Sequence, residues 1–166
     1  MRAFVALGSN IDPRSNLGSA VAKLARRFTV LGVSPVYRTV PVGDTDQADF
    51  WNLAVEIETA ECPAAVHDAL REIEALIGRR RDPARPFGPR TADLDLVLVD
   101  GVKGRFGALE LPSPLIERAS FVAVPLADLA PELCPPGLSL TLHDLALAAV
   151  AGDERPPRRL DVELRP

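Results

Sequence analysis

The alternation of apolar and polar positions divides most of the chain into strands and helices. Ala3–Leu7 is an unbroken apolar run closed by Gly8-Ser9-Asn10, which predicts a buried strand. Asp12-Pro13 and Ser15 then supply helix-start chemistry. Leu17, Ala20, Val21, Leu24 and Phe28 recur at helical spacing, so a helix is predicted to about Arg27. Thr29–Val36 is β-branched and apolar but contains Gly32 and Pro35, the signature of a strand that bulges or ends early. Tyr37–Asp49 reads as a long polar loop, and loops of that length in a compact domain are often functional. From Phe50 to Glu58 the pattern alternates: Trp51, Leu53, Val55 and Ile57 on one face, Phe50, Asn52, Ala54 and Glu56 on the other. Pro63 opens a second helix with Val66, Ala69, Leu70, Ile73, Leu76 and Ile77 on its apolar stripe and Gly78 at its C-terminal cap. Asp93–Val99 is the next strand, with Leu94, Leu96 and Leu98 on one side and Asp93, Asp95, Val97 and Val99 on the other.

The order strand-helix-strand-strand-helix-strand, joined by right-handed crossovers, predicts an α+β fold. It is a ferredoxin-like split βαβ sandwich: a mainly antiparallel sheet with helices on one face, followed by C-terminal additions. The Trp51 face and the leucine face both meet the helices. Phe50, Asn52, Asp93 and Asp95 then share the opposite, open face. Downstream, Gly101–Leu111 reads as a hairpin or loop, and Leu115–Leu129 as a helix interrupted by Pro125. Thr141-x-x-Asp144 is a capping-box variant before an apolar helix that ends at Gly152. The charged tail 153–166 carries Leu160, Val162 and Leu164 in alternation, the pattern of a short edge strand. With 166 residues and no repeat or linker, one domain spanning 1–166 is expected.

Composition narrows the function classes. A net charge of −4 argues against general affinity for nucleic acid or acidic membranes. No run approaches the ~20 apolar residues of a membrane span, and no signal peptide is visible, so a cytoplasmic protein is the default expectation. Cys62 and Cys134 lack metal-ligand spacing and read as two buried thiols in a reducing compartment. His67 and His143 read as ordinary helix residues.

The chemistry concentrates at residues 78–95, GRRRDPARPFGPRTADLD. Arginines 79, 80, 81, 85 and 90 fall within twelve positions, with Asp82 the only acid among them. Asp93 and Asp95 follow on one strand face, ~6.6 Å apart at the backbone. Two like charges so close favour a cation between them. Mg²⁺ takes one or two protein carboxylates together with substrate phosphates, and two such ions ~3.5–4 Å apart can clamp a phosphoryl transfer. Guanidinium groups pair bidentately with phosphate and stay charged. Phosphoryl transfer needs mainly positioning and charge neutralisation, which this mixture supplies. No GxxxxGK[ST] is present, so a P-loop is excluded.

FGPRTADLDLVLVDG (Phe87–Gly101) resembles the signature of the hydroxymethyldihydropterin pyrophosphokinases of folate biosynthesis. The resemblance extends through ALGSN (Ala6–Asn10), VYRTVPVGDTDQADFWN (Val36–Asn52), IEALIGRRR (Ile73–Arg81) and PLADLAPEL (Pro125–Leu133). It implies transfer of a pyrophosphoryl group from ATP, as co-substrate, to the hydroxymethyl oxygen of a dihydropterin, with AMP released. It implies two Mg²⁺ ions on Asp93 and Asp95. It places Phe50 and Phe121 as stacking faces for the pterin, Asn52 as the amide reading its edge, and Thr39 and Val42 as backbone contacts. Glu74, Arg81, Phe87 and Leu96 would line the ATP side, and Arg71 aligns with a nucleotide-contacting position. Arg79 and Arg90 would hold the phosphates and the developing charge. Its partners would be these small molecules, with no nucleic acid or membrane, and a monomer is expected. Three departures stand out: Phe50 for a common Tyr, Phe87 for a Trp, and Ser113 for a His that contacts nucleotide phosphate. The competing reading is a non-catalytic ligand-binding or regulatory module of the same fold, which would leave the Asp pair unexplained, or an RNA-binding sheet, which would need a basic, aromatic face.

Overall fold

A computed structural model of the chain describes residues 1–80, 84 and 88–166. The elements run β1 (Arg2–Ser9), α1 (Pro13–Arg27), β2 (Thr29–Val33), β3 (Tyr37–Thr39), β4 (Phe50–Glu58), α2 (Pro63–Leu76) and β5 (Asp93–Val99). There follow β6 (Gly104–Phe106), β7 (Leu109–Leu111), α3 (Leu115–Arg118), α4 (Ser120–Leu129), α5 (Leu142–Ala151) and β8 (Arg158–Arg159). The main sheet has the order β5-β1-β4-β3-β8, with β2 also paired to β4. Every pairing is antiparallel, and β1 and β4 occupy the centre. This is a mixed α/β fold built on an antiparallel sheet with helices packed against it, as the pattern predicts. Among the described residues no helix is long and apolar enough to cross a membrane.

Both long helices begin with Pro at their first turn, where a missing N–H costs nothing. Their apolar stripes, Leu17/Ala20/Val21/Leu24 and Val66/Ala69/Leu70/Ile73, bury against Val5, Leu7, Leu53, Val55, Leu94 and Leu96. The end of α2 positions chemistry. Gly78 has φ +80 and donates to the Ala75 carbonyl at 3.0 Å, while the Arg79 N–H donates to the Glu74 carbonyl at 3.0 Å. That pair of bonds is a Schellman motif, which turns the chain sharply and delivers Arg79 at a fixed direction.

The second sheet face is not open along its length. Phe4, Ala54, Val97 and Leu98 are buried there beneath Ile116, Val122, Leu126, Leu142 and Leu145 of α3, α4 and α5. The helices therefore lie on both faces: the C-terminal additions form a third layer, because their own apolar faces need a partner. Leu98 belongs to this second core rather than to the Leu94/Leu96 face. Phe4 pairs with Leu98 and Val5 with Leu96, so Val97 is an extra residue, and the bulge reverses the alternation after it.

Other expectations shift locally. Tyr37–Thr39, predicted as loop, is a strand whose Tyr37 and Thr39 are buried and whose Arg38 faces out. Pro125 lies inside α4, and the helical break falls at Ala119, which has φ −126. Burial of Pro125, Ala123 and Leu126 sustains α4 against the ~3 kcal/mol cost of an interior proline. The capping box at Thr141 and Asp144 forms as predicted. The tail pairs at Arg158–Arg159, not 160–164, while Leu160, Val162 and Leu164 pack on the main core. Cys62 and Cys134 are free but exposed rather than buried.

Candidate active site

The site is built from the residues that β1, β4 and β5 present at one end of the sheet. In the register, Gly8 stands opposite both Asn52 and Asp93, and Ala6 opposite Asp95. Gly8 leaves room for its neighbours at this point. A Cβ there would stand 3.0 Å from Asn52 Oδ1 and 4.0 Å from the Phe50 ring. Its absence lets the functional side chains of β4 and β5 share one surface.

The acidic and basic groups interlock. Asp93 accepts from Arg90 Nη1 through one oxygen and from Arg79 Nη2 at 3.3 Å through the other, with Arg71 Nη1 at 3.9 Å. Asp95 accepts from Arg71 Nη2 at 2.8 Å. Burial pushes the Asp93 carboxyl up, but the charges of Arg90, Arg79 and Arg71 outweigh it and hold the pKa below its ordinary 3.8. Glu74 is 2% exposed, yet its carboxylate accepts from the Leu94 N–H at 2.8 Å and from Arg71 at 2.6 Å. It thereby joins α2 to β5 and orients Arg71. The Arg79 Nε–H is buried with no hydrogen-bond acceptor among the described residues. An unpaired guanidinium N–H beside Asp93 is a donor suited to an incoming oxyanion.

The aromatic half lies alongside. A cavity of about 420 Å³ is lined by Phe50, Asn52, Thr39, Val42 and Phe121, and also by Arg90, Asp93 and Asp95. Its size is that of a small-molecule site. Phe50 projects from β4 and Phe121 from α4. Asn52 is 6% exposed and donates to Thr39 Oγ1 at 2.7 Å, leaving its carbonyl oxygen and second N–H for a ligand. The Arg90 guanidinium carbon sits 5.6 Å from the Phe50 ring centre, linking the two halves by a cation–π contact.

The predicted site residues are not all placed alike. Leu96 does not present its side chain to the site: it is 2% exposed and packs in the main core. The Leu94 N–H points away from β1 to Glu74. Leu96 follows two residues on, directly before the bulge at Val97. Ser113 donates its N–H to the Val97 carbonyl at 2.8 Å, which seats it against β5. Neither Ser113 nor Arg71, Glu74 or Arg79 lines the cavity itself. Arg81 and Phe87 lie outside the described residues. Arg118 from α3 does line the cavity.

Asn10, which closes β1 in the sequence pattern and has no site role there, is a positioning residue: it is 7% exposed and ties three segments together. Its Oδ1 accepts from the Arg90 N–H at 2.8 Å, and its Nδ2 donates to Gln47 Oε1 at 2.8 Å and the Ala48 carbonyl at 3.0 Å. The available signal was a polar triplet placed directly after a wholly apolar strand.

A family model described as 7,8-dihydro-6-hydroxymethylpterin-pyrophosphokinase (HPPK) matches residues 4–131. The chain belongs to the HPPK family. It is 42% identical over 80% of its length to a 2-amino-4-hydroxy-6-hydroxymethyldihydropteridine pyrophosphokinase of Methylorubrum extorquens, covering 84% of that protein. An enzyme of the same name from Pseudomonas aeruginosa is 37% identical over 94% of this chain and 97% of its own. At the level of fold, a crystal structure of Plasmodium falciparum HPPK-DHPS with pteroate superposes with TM-score 0.70 at 14% identity. That match covers 99% of this chain but 48% of the longer one. HPPK membership agrees with the family resemblance of the signature segments. Nothing favours a regulatory or RNA-binding sheet, since α3, α4 and α5 cover the face such a module would use.

Proposed function

We propose that the chain transfers a pyrophosphoryl group from ATP to the hydroxymethyl oxygen of 6-hydroxymethyl-7,8-dihydropterin. The observation that carries this reading is a single cavity with Phe50, Phe121 and Asn52 beside Asp93, Asp95 and Arg90. A flat, hydrogen-bonding ring stacks between the two phenyl faces, with Asn52 reading its edge. Thr39 fixes that amide, and Val42 adds an apolar rim. The ring's hydroxymethyl oxygen then points toward the carboxylate–arginine end.

At that end the donor set fits Mg²⁺ in company with phosphate. Among the described residues no cluster of three or more metal-ligating side chains exists, so Asp93 and Asp95 would hold the ions and triphosphate oxygens would complete their shells. Two bound Mg²⁺ would polarise the transferred group and screen its charge. Arg79, held beside Asp93, would bring its charge to the phosphates, and Arg90 draws charge toward the cavity while stacked on Phe50. Glu74 and Arg71 hold the nucleotide-side wall. The outer edge of β5 at Leu96 and the neighbouring Ser113 hydroxyl offer polar groups to the base or phosphates. The new bond joins the hydroxymethyl oxygen to the β-phosphorus, the β-phosphorus–oxygen bond to the α-phosphate breaks, and AMP departs with its electron pair. The hydroxyl proton is released. We place the reaction in the cytoplasm, on a monomer.

Incubation with the dihydropterin, ATP and Mg²⁺ is expected to yield AMP and the pyrophosphorylated pterin. ADP as the nucleotide product would reject the proposal.

A further inference from the structure

The HPPK family match ends at residue 131, yet the chain beyond it returns to the cavity. After α5, Asp153 Oδ2 accepts from Ser120 Oγ, and Asp153 Oδ1 accepts from the Arg155 N–H at 2.9 Å. Ser120 is 5% exposed and immediately precedes Phe121. Five residues further on, Arg158 and Arg159 pair with Arg38 and Tyr37 as β8. The Leu160 N–H donates to the Val36 carbonyl at 2.8 Å. Leu160, Val162 and Leu164 then anchor in the main core. One short segment is thus bonded to both walls of the cavity: to α4 just before Phe121, and to β3 just before Thr39 and Val42. A second cavity of about 210 Å³, lined by Thr39, Phe121, Ser120, Asp153 and Arg155, lies between this segment and the main one.

We propose that residues 153–160 form a strap that sets the width of the pterin slot, with Ser120 and Asp153 as its positioning pair. The proposal rests on Phe121 being a stacking face of that slot. Tyr37 of β3 already donates to Asp128, near the far end of α4, at 2.7 Å, and the strap adds a second tie at the Phe121 end. A stacked ring is sensitive to the separation and tilt of its two walls. The Ser120–Asp153 bond is charge-assisted, between a buried hydroxyl and a half-buried carboxylate, so it resists a change in that separation.

The test is a double-mutant cycle on the full chain. Asp153→Ala and Ser120→Ala are each expected to raise the dissociation constant for the dihydropterin, followed by pterin fluorescence, roughly threefold to tenfold. The double variant should be no weaker than either single one. The KM for ATP should stay unchanged, and Asp153→Asn, which keeps an acceptor for Ser120, should recover most of the affinity. Equal rises in both KM values, or additive effects, would overturn the strap. Phe121→Ala separates the two levels of the argument. Pterin affinity lost in Phe121→Ala but kept in Asp153→Ala overturns the strap alone. Affinity kept in both overturns the slot and the strap together.

Discussion

Asp93 and Asp95 stand two residues apart on one strand, but their surroundings give them different work. The Asp93 side chain is 18% exposed and faces Arg79 and Arg90, themselves 10% and 17% exposed. Removing its charge breaks the ion pairs of Asp93 with two largely buried cations, which costs ~3–5 kcal/mol in comparable sites. Asp95 is 44% exposed with one ion pair among the described residues, so its charge is worth ~0–1 kcal/mol to stability. Asp93→Asn is therefore expected to lose both activity and several degrees of melting temperature, and Asp95→Asn to lose activity with its melting temperature intact. Unchanged turnover in Asp95→Asn would remove it from the reacting centre. The pH dependence follows from the lowered Asp93 pKa. Its stabilisation is present above the ordinary value of 3.8 and is lost as pH falls through the lower folded value. The melting-temperature gap between wild type and Asp93→Asn should therefore close in acid below that point. Tyr37 behaves in the opposite sense. Burial, with its hydrogen bond to Asp128 at 2.7 Å, pushes its phenol from 10.0 up to about 12. It is the single tyrosine, so phenolate absorbance reads it directly. A folded midpoint near 10 would contradict the buried hydroxyl. Stability carried by the protonated phenol is lost as pH rises from 10 to 12. The identities of the charged and aromatic residues were legible in the sequence because they break otherwise regular patterns. The pairing of Arg71 with Asp95, and the knot at Asn10, depend on contacts 24 and 80 residues apart and leave no local pattern.

At the scale of elements, the periods carry long helices and central strands well, since each buries a continuous stripe. They fail where one residue resets the phase. The bulge at Val97 moves Leu98 to the other core, although strict alternation assigns it with Leu94 and Leu96. Three-residue β3 is too short to show a period, and its strand character comes from its partner β4. The Gly78 turn is the opposite case, where a single residue type announces the local geometry. Its φ of +80 favours glycine, and the two bonds of the Schellman motif hang on it. Gly78→Ala should cost ~1–2 kcal/mol of stability. It should also lower kcat, because Arg79 leaves the turn in a new direction. A variant that melts earlier but keeps full turnover would show that Arg79 is not positioned by this turn.

At the scale of the whole molecule, the sheet is a middle layer with a core on each side, and the cavity opens where the third layer stops short of the sheet's end. A second core was foreshadowed by Phe4, Ala54 and Val97, apolar residues on the face that also carries the polar site. The helices that cover it come from the region beyond residue 114, whose placement no local pattern fixes. This arrangement makes α4 serve two purposes: Val122 and Leu126 close the second core, and Phe121 forms a wall of the cavity. Leu126 is fully buried, so Leu126→Ala should cost ~2–5 kcal/mol, whereas Leu147→Ala, at a 59% exposed position of α5, should stay within about 0.5 kcal/mol. Because the void forms behind α4, the helix can settle toward the sheet and carry Phe121 with it. On the proposed site layout, the affinity for the dihydropterin should then fall while that for ATP, assigned there to α2 and β5, does not. Denaturant melts paired with separate titrations of the two substrates decide the point. Equal losses for both substrates would mean that the third layer supports the whole site rather than its aromatic half.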